Sequence, residues 1–431
     1  MRASSNPGGG NSANNRFLPR RPRQAPEPVL GADQLASEAQ LTLHCEKPHL
    51  PADSTTPREG LWLPDVSCTH ALPDGSLALM PTRGLTLPVS VHAPNLLIVG
   101  GAGAGKTYRV MLPAFDAIAR SGSPAVIVNT KGPPFTKRLS AVARQYGRSI
   151  TLLSLTDPQR SVGWNPITGR ADLDSARDFA HTFCESIETD RASPESPYWI
   201  NTAIDVFTQI IALINRADPE HANLAMLRQA IRESDFDAII DAGRQHGIDV
   251  TRLQTFQRFS NSESHNALTN LADMAMRSAV LDSEPLSRVL GSNEFQLQQF
   301  VESGGILVLE IDEQRVAPLR QISAVFVKIL LDQLIASANH RASGRFDPGF
   351  FLLLCELPAL GRIPELGRYL NTVRERGVRV LADLQSLGQL HARYRNDAAE
   401  VLAGFQSLIA LPGGLDEASA SYVSQRSGTM T

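Results

Sequence analysis

At 431 residues, 42% hydrophobic and 20% charged, the chain has the composition of an ordinary soluble globular protein with room for two or three domains. Forty-one basic side chains against forty-four acidic ones leave a net charge of −3, which excludes nucleic-acid binding by bulk basicity and confines any DNA contact to local patches. Four widely spaced cysteines without a secretory signal fit a reducing, cytosolic compartment, and there is no run of eighteen apolar residues to cross a membrane.

Residues 1–60 read as a disordered or loosely structured N-terminal region. Its first half is rich in Gly, Asn, Ser and Pro and sets Arg2, Arg16, Arg20, Arg21 and Arg23 against the single acid Glu27, the composition of a solvated basic tail. His44, Cys45 and His49, with Cys68 and His70 further on, lack the Cys-x-x-Cys pair of a structural zinc site. Over 61–87 short apolar pieces alternate with Pro, Gly and Asp, which predicts small strands or hairpins.

The strongest signal follows. Residues 95–99 are a short apolar run of buried-strand type, and residues 108–120 repeat apolar side chains at helical spacing. Between them Gly100, Gly101, Ala102, Gly103, Ala104, Gly105, Lys106 and Thr107 fill every fixed position of G-x-x-x-x-G-K-[ST]. In that setting glycines let backbone N–H groups approach phosphate oxygens and the helix N-terminus adds a favourable dipole. Lys106 reaches the outer phosphates, and the Thr107 hydroxyl can ligate Mg²⁺. ATP or GTP is the expected ligand.

Strand 125–129, helix 134–146 and strand 149–153 continue in the βαβα order of a parallel sheet. Strand signals then vanish over 172–288, where amphipathic helices, 200–215 and 268–280 among them, predict an all-α insertion. The sheet resumes at 305–311, followed by helix 321–338, strand 350–354, helix 364–376 and strands 378–383 and 407–411. Pro364 suits a first helical turn and Gly377 a helix C-terminus. The expected organisation is an α/β nucleotide-binding domain in two parts, 61–171 and 289–431, around the helical segment 172–288.

Hydrolysis needs, beyond the loop, a metal-holding carboxylate and a group that activates water. Glu356, just past the apolar strand 350–354, is placed as general base. Cys355 stands where a metal-orienting Asp is normally found, and a neutral thiol is a poor partner for hard Mg²⁺ or its waters. Gln385, just past strand 378–383, is positioned to sense the terminal phosphate or hold water. Arg374 and Arg376, expected beside the site, are candidate charge-stabilising fingers across a subunit boundary.

Several of these segments together resemble the TraG/TraD-type coupling proteins of bacterial conjugation and type IV secretion. Val128-Asn129-Thr130-Lys131-Gly132 resembles the family's Asp-Pro-Lys-Gly-Glu element, and Trp164-Asn165-Pro166-Ile167 its Asn-Pro-Leu/Ile signature. Pro197-Tyr198-Trp199 with Ala203 is similar to the aromatic opening of its all-α domain. Leu354-Cys355-Glu356-Leu357-Pro358-Ala359-Leu360-Gly361 is similar to its Walker B segment, and the stretch from Leu384 to Leu390 to its glutamine element. Ser424, Gly428 and Thr431 fall at the spacing of a later Ser-x-x-x-Gly-x-x-Thr region.

The resemblance implies a RecA-like P-loop ATPase using ATP and Mg²⁺, with Lys131 among its nucleotide-binding residues. It implies a homo-hexameric ring that delivers single-stranded DNA with its relaxase, or effector proteins, to other type IV secretion components. The family usually carries N-terminal transmembrane helices and none is evident, so a cytoplasmic chain would meet the inner membrane only through partners. The sequence also ends sooner than the family's ATPase domain, as a fragment or shortened homologue would. Asn129 replaces an Asp, Pro133 a Glu and Cys355 the Walker B Asp. Loss of that last carboxylate removes about 2–4 kcal/mol of transition-state stabilisation, so a motor and a nucleotide-binding adaptor with weak turnover both remain open. A double-stranded DNA translocase of the FtsK/HerA kind shares the core but fits the Asn-Pro element and the long insertion less well.

Overall fold

The computed structural model describes short strands within 61–87 and residues 95–186, 197–233, 235–261, 283–411 and 413–427. The basic tail, His44, Cys45, His49 and the helix expected over 268–280 lie outside the described residues. Strand β1 (Leu61–Leu63) pairs antiparallel with β4 (Leu85–Leu87), and β2 (Ser67–Ala71) with β3 (Leu77–Pro81), as hairpin-like pieces ahead of the main sheet.

That sheet has seven strands: β5 (Leu96–Val99), β6 (Ala125–Asn129), β7 (Ile150–Ser154), β8 (Ile306–Glu310), β9 (Phe350–Leu354), β10 (Val378–Leu384) and β11 (Ser407–Ala410). Their order is β11-β5-β10-β9-β6-β8-β7, with every pairing parallel. Runs such as Ala-Val-Ile-Val-Asn and Phe-Phe-Leu-Leu-Leu make such strands because a parallel sheet is covered on both faces. All residues of β5, β6, β8, β9 and β10 are buried, whereas the edge strand β11 is half-buried throughout.

Alternation along the strands feeds two apolar layers. Ile98, Ile127, Val308 and Leu353 pack with Phe115 and Ile118 of α1 (Leu112–Ser121) and with Phe135 and Leu139 of α2 (Gly132–Gln145). The opposite face, with Leu97, Val126, Leu307 and Leu352, meets a layer continuous with the helices between β7 and β8. Among the described residues these are α3 (Leu173–Glu185), α4 (Pro197–Ala217), α5 (Leu224–Glu233), α6 (Phe236–Gln245), α7 (Thr251–Asn261), α8 (Glu284–Leu290) and α9 (Leu297–Ser303). Asp172 caps α3 by accepting from Ser175 N at 2.8 Å, and Phe183 of α3 meets Phe207 of α4 with ring centroids 6.1 Å apart.

The Trp164-Asn165-Pro166 element joins this helical layer to the sheet. The Trp164 ring stands edge-on to Phe326 of α10 (Val316–Asn339) at 5.1 Å, the Trp164 backbone N–H donates to Val289 O at 2.8 Å, and Asn165 Nδ2 donates to Ala222 O at 2.6 Å. Among the described residues one helix, Glu313–Asn339, is long and apolar enough to cross a membrane; 67% of its apolar window is buried against this core. Helices α11 (Leu366–Glu375), α12 (Leu387–Tyr394), α13 (Ala398–Ala403) and α14 (Glu417–Ser427) complete the fold. Pro364 is not in a first helical turn: Glu365 adopts φ 54° and breaks the helical path, so α11 starts at Leu366 and Pro364 belongs to the preceding turn.

Candidate nucleotide site

The glycine-rich loop leaves the C-terminal end of β5 and is sewn to its neighbours from the first residue. Gly100 N donates to Leu384 O at 3.3 Å and Gly101 N to Gly413 O at 3.2 Å. A Cβ on Gly101 would lie 2.6 Å from Gly414 O, so only glycine fits there. Gly103 at φ 75° and Gly105 at φ 93° take left-handed conformations, the second opening a π-helical turn over Lys106–Met111 that runs into α1. Lys106 is 7% exposed, and its Nζ donates to Gly100 O at 2.5 Å and Gly101 O at 3.1 Å, so the ammonium bridges the carbonyls of its own loop. Burial lowers its pKa, while Asp383 and Glu356 pull it back up. Ala102 and Gly103 are exposed at the mouth, with Ala104 and Thr107 half-buried. Tyr108, 55% exposed, follows with the Arg138 guanidinium 4.8 Å from its ring centre.

The ends of β6, β9 and β10 bring the remaining groups to this edge. Lys131, past β6, has Nζ 2.9 Å from Glu356 Oε1, and Gln385 Nε2 reaches the same oxygen at 3.4 Å. Burial disfavours charge on Lys131, but the hydrogen bond and charge of Glu356 outweigh it and its pKa is raised. Glu356 adopts φ 55°, an uncommon left-handed backbone for a non-glycine residue. Its N–H donates to Asp383 Oδ1 at 2.9 Å. Asp383 is fully buried, and its Oδ2 meets no hydrogen-bond partner. Burial raises the Asp383 pKa to about 6 against opposing contributions from the Glu356 N–H and Lys131. Cys355 is also fully buried, and desolvation pushes its thiol well above the ordinary range, with Asp383 adding to the shift.

Lys106, Lys131, Glu356 and Gln385 therefore converge around the phosphate-type loop. Arg374 and Arg376 do not. They close α11 ahead of β10, at the N-terminal edge of the sheet, because parallel strands send every helix-to-strand connection to that edge. A finger role for them requires another copy's nucleotide. Asp383 is the buried acid that sequence reasoning passed over; its signal is a carboxylate near the end of the apolar run 378–384, two residues before Gln385. Asn129 is explained locally: Oδ1 accepts from Lys131 N at 2.8 Å, and Nδ2 donates to Gly132 O and Thr136 Oγ1, both at 2.9 Å. Pro133 sits in the first turn of α2, where a missing N–H costs nothing.

Among the described residues no group of three or more His, Cys, Asp or Glu side chains could cage a metal. Mg²⁺ needs no such cage, since it keeps waters and phosphate oxygens and takes one or two hard protein ligands. The Thr107 hydroxyl and the unpartnered oxygen of Asp383 fit that chemistry.

The family model for the type IV secretion-system coupling protein DNA-binding domain matches residues 80–429. Among solved structures the fold is similar to a bacterial conjugative coupling protein, TrwBdeltaN70, in complex with sulphate. The TM-score is 0.59 at 22% identity over 76% of this chain and 72% of that one. The plasmid coupling protein TrwB with the non-hydrolysable ATP analogue ADPNP gives 0.58 at 20% identity over 75% and 72%. The same protein with ADP and Mg²⁺ gives 0.56 at 20% identity over 75% and 71%. At these identities the likeness is one of fold. No curated protein matches the chain.

Proposed function

The chain belongs to the type IV secretion-system coupling protein family, and from that premise we propose that it is a ring ATPase that binds ATP with Mg²⁺ on residues 100–107 and passes substrates to a secretion channel. The observation that carries this reading is the convergence of Lys106, Lys131, Glu356 and Gln385 on the intact loop at one sheet edge. Solved coupling proteins of the same fold hold ADPNP, and ADP with Mg²⁺, which supports the choice of nucleotide.

In this mechanism Lys106 gives up the carbonyls of Gly100 and Gly101 for the outer phosphates, and Lys131 adds a second cation at the same edge. Glu356, held by Lys131 and Gln385 through Oε1, has Oε2 left to accept the proton of an attacking water. Gln385, beside Glu356, orients that water. Mg²⁺, when bound, would neutralise phosphate charge, with the Thr107 hydroxyl among the groups that would hold it. Six copies form the ring, with Arg374 and Arg376 of each serving a neighbour's nucleotide. Cargo is single-stranded DNA with its relaxase, or effector proteins; the chain works in the cytoplasm and meets the inner membrane through other secretion components.

A second reading, a nucleotide-binding adaptor with little turnover, is favoured by the neutral, buried thiol of Cys355 and by the engagement of Glu356 with Lys131. Mg²⁺-dependent phosphate release from ATP by the purified chain, with and without single-stranded DNA, separates the two. The motor predicts DNA-stimulated release that falls by about 100-fold or more in Lys106→Ala and in Glu356→Gln. ATP binding without release would leave the adaptor, and absence of nucleotide binding would overturn both.

A further inference from the structure

We propose that Asp383 is the metal-facing carboxylate of this site, standing on β10 in place of the acid that Cys355 does not supply on β9. The inference rests on the nucleotide reading above. The register pairs Ala382 with Leu354, so Asp383 and Cys355 are side by side where the two strands end. On its other flank Asp383 pairs with Ile98, in the strand that leads into the phosphate loop. Neighbouring strands are about 4.8 Å apart, so the carboxylate is moved by one strand spacing toward Lys106 and Thr107. Its face is unchanged: Leu353, Cys355, Ile98 and Leu381 share one apolar layer, and Asp383 lies two residues past Leu381 on the same side of the strand.

The bonding at Asp383 is that of a site rather than of a structural acid. A second buried acid, Glu310 at the end of β8, shows the contrast. Its Oε1 takes Arg160 Nη2 at 3.0 Å and Ser154 Oγ at 3.2 Å, and its Oε2 takes Arg160 Nη2 at 3.3 Å. Asp383 holds one backbone N–H on Oδ1 and nothing on Oδ2. The two nearby ammonium groups are bonded elsewhere, Lys106 to its loop and Lys131 to Glu356. A carboxylate oxygen buried without a partner is costly, and the sheet gains no packing from it that an apolar side chain would not give. A hard cation arriving with the phosphates, or one of its waters, gives that oxygen the partner it lacks. The soft, neutral sulfur of Cys355 cannot serve in this way.

Calorimetric titration of the full chain with ADP, in Mg²⁺ and in EDTA, tests the assignment. For the native chain ADP binds more tightly in Mg²⁺. In Asp383→Asn, which keeps the acceptor for Glu356 N–H, the Mg²⁺ advantage falls by about 10- to 100-fold while the affinity in EDTA stays within about twofold. Adding Cys355→Asp to that variant restores the advantage. Cys355→Ser alone leaves it intact. An unchanged Mg²⁺ advantage in Asp383→Asn overturns the proposal, as does an equal loss of affinity in Mg²⁺ and EDTA, which marks a packing role. A large loss of the advantage in Cys355→Ser overturns it as well. Failure of the native chain to bind ADP under either condition is a different result, because it removes the nucleotide reading itself.

Discussion

Asn129 is buried at the end of β6 with its amide fully used, and the direction of each bond matters. Its Oδ1 accepts from Lys131 N, so an Asp would serve there equally. The Nδ2 donates to Gly132 O, and a carbonyl cannot turn round to donate in return, whereas the Thr136 hydroxyl can. Asn129→Asp therefore sets a buried carboxylate against a carbonyl and is expected to destabilise the chain by about 2 kcal/mol, measured by urea unfolding near neutral pH. A variant as stable as the native chain would show that the turn into α2 does not depend on this donor. Asp383 predicts the opposite sign. Its folded pKa of about 6 lies above the ordinary value of 3.8, so the folded state binds the extra proton and stability is lost as pH rises from about 4 to about 6. In the nucleotide-free chain Asp383→Asn should be more stable than the native chain by about 3 kcal/mol at pH 8, a margin that shrinks to about 1 kcal/mol at pH 4.5. A margin independent of pH would mean that Asp383 is not the titrating group.

At the scale of elements, Asn95 fastens the start of β5 to three other segments. Its Nδ2 donates to Leu370 O at 2.8 Å and Gly404 O at 3.0 Å, and its Oδ1 accepts from Val380 N at 3.1 Å. Asn95→Ala removes all three bonds and takes from the buried Val380 N–H its Asn95 acceptor, and is expected to cost about 2–3 kcal/mol, with faster hydrogen exchange at Val380. A loss under 1 kcal/mol would show that β5 is held by its ladders alone. The strands of the main sheet were legible because most are short, predominantly apolar runs bounded by Gly, Pro or a polar turn, and their all-parallel pairing follows from the helices between them. Sheet order was not legible. Periodicity says which face a residue takes and nothing about which strand lies alongside, so the insertion of β10 between β5 and β9 could not be read from the chain. For that reason Asp383 went unread beside Cys355, 28 positions away in sequence and adjacent in register. The same gap put Arg374 and Arg376 beside the loop when the sheet holds them at its far edge. Glycines were better guides: Gly101 and Gly105 mark a close approach and a left-handed turn that only the loop's own geometry requires.

The whole molecule decides what those arginines can do. Seven residues of β10 at about 3.3 Å each put roughly 20 Å between Arg376 and the edge where Gln385 and the loop meet, more than an arginine side chain spans. At the far edge the guanidiniums crowd together: burial first, with the like charges of Arg345 and Arg374 adding to it, lowers the pKa of Arg379 to about 10. In the ring proposed above, with heterologous contacts, each protomer offers one loop and one far edge, which sets this cluster against the anion of a neighbouring copy. Two defective chains should then complement. Lys106→Ala lacks a working loop and keeps its arginines; a chain with Arg374→Ala and Arg376→Ala has the reverse defect. In rings assembled at random from equal amounts, half the loops are intact and half of those face intact arginines. Phosphate release should recover to about a quarter of the native rate, although each variant alone is nearly inactive. Fingers acting within one chain give no recovery, because no chain in the mixture carries both parts. A mixture no faster than its better component, with mixed rings verified by native mass spectrometry, would exclude action between subunits and leave the arginine cluster to hold the sheet edge or the cargo instead.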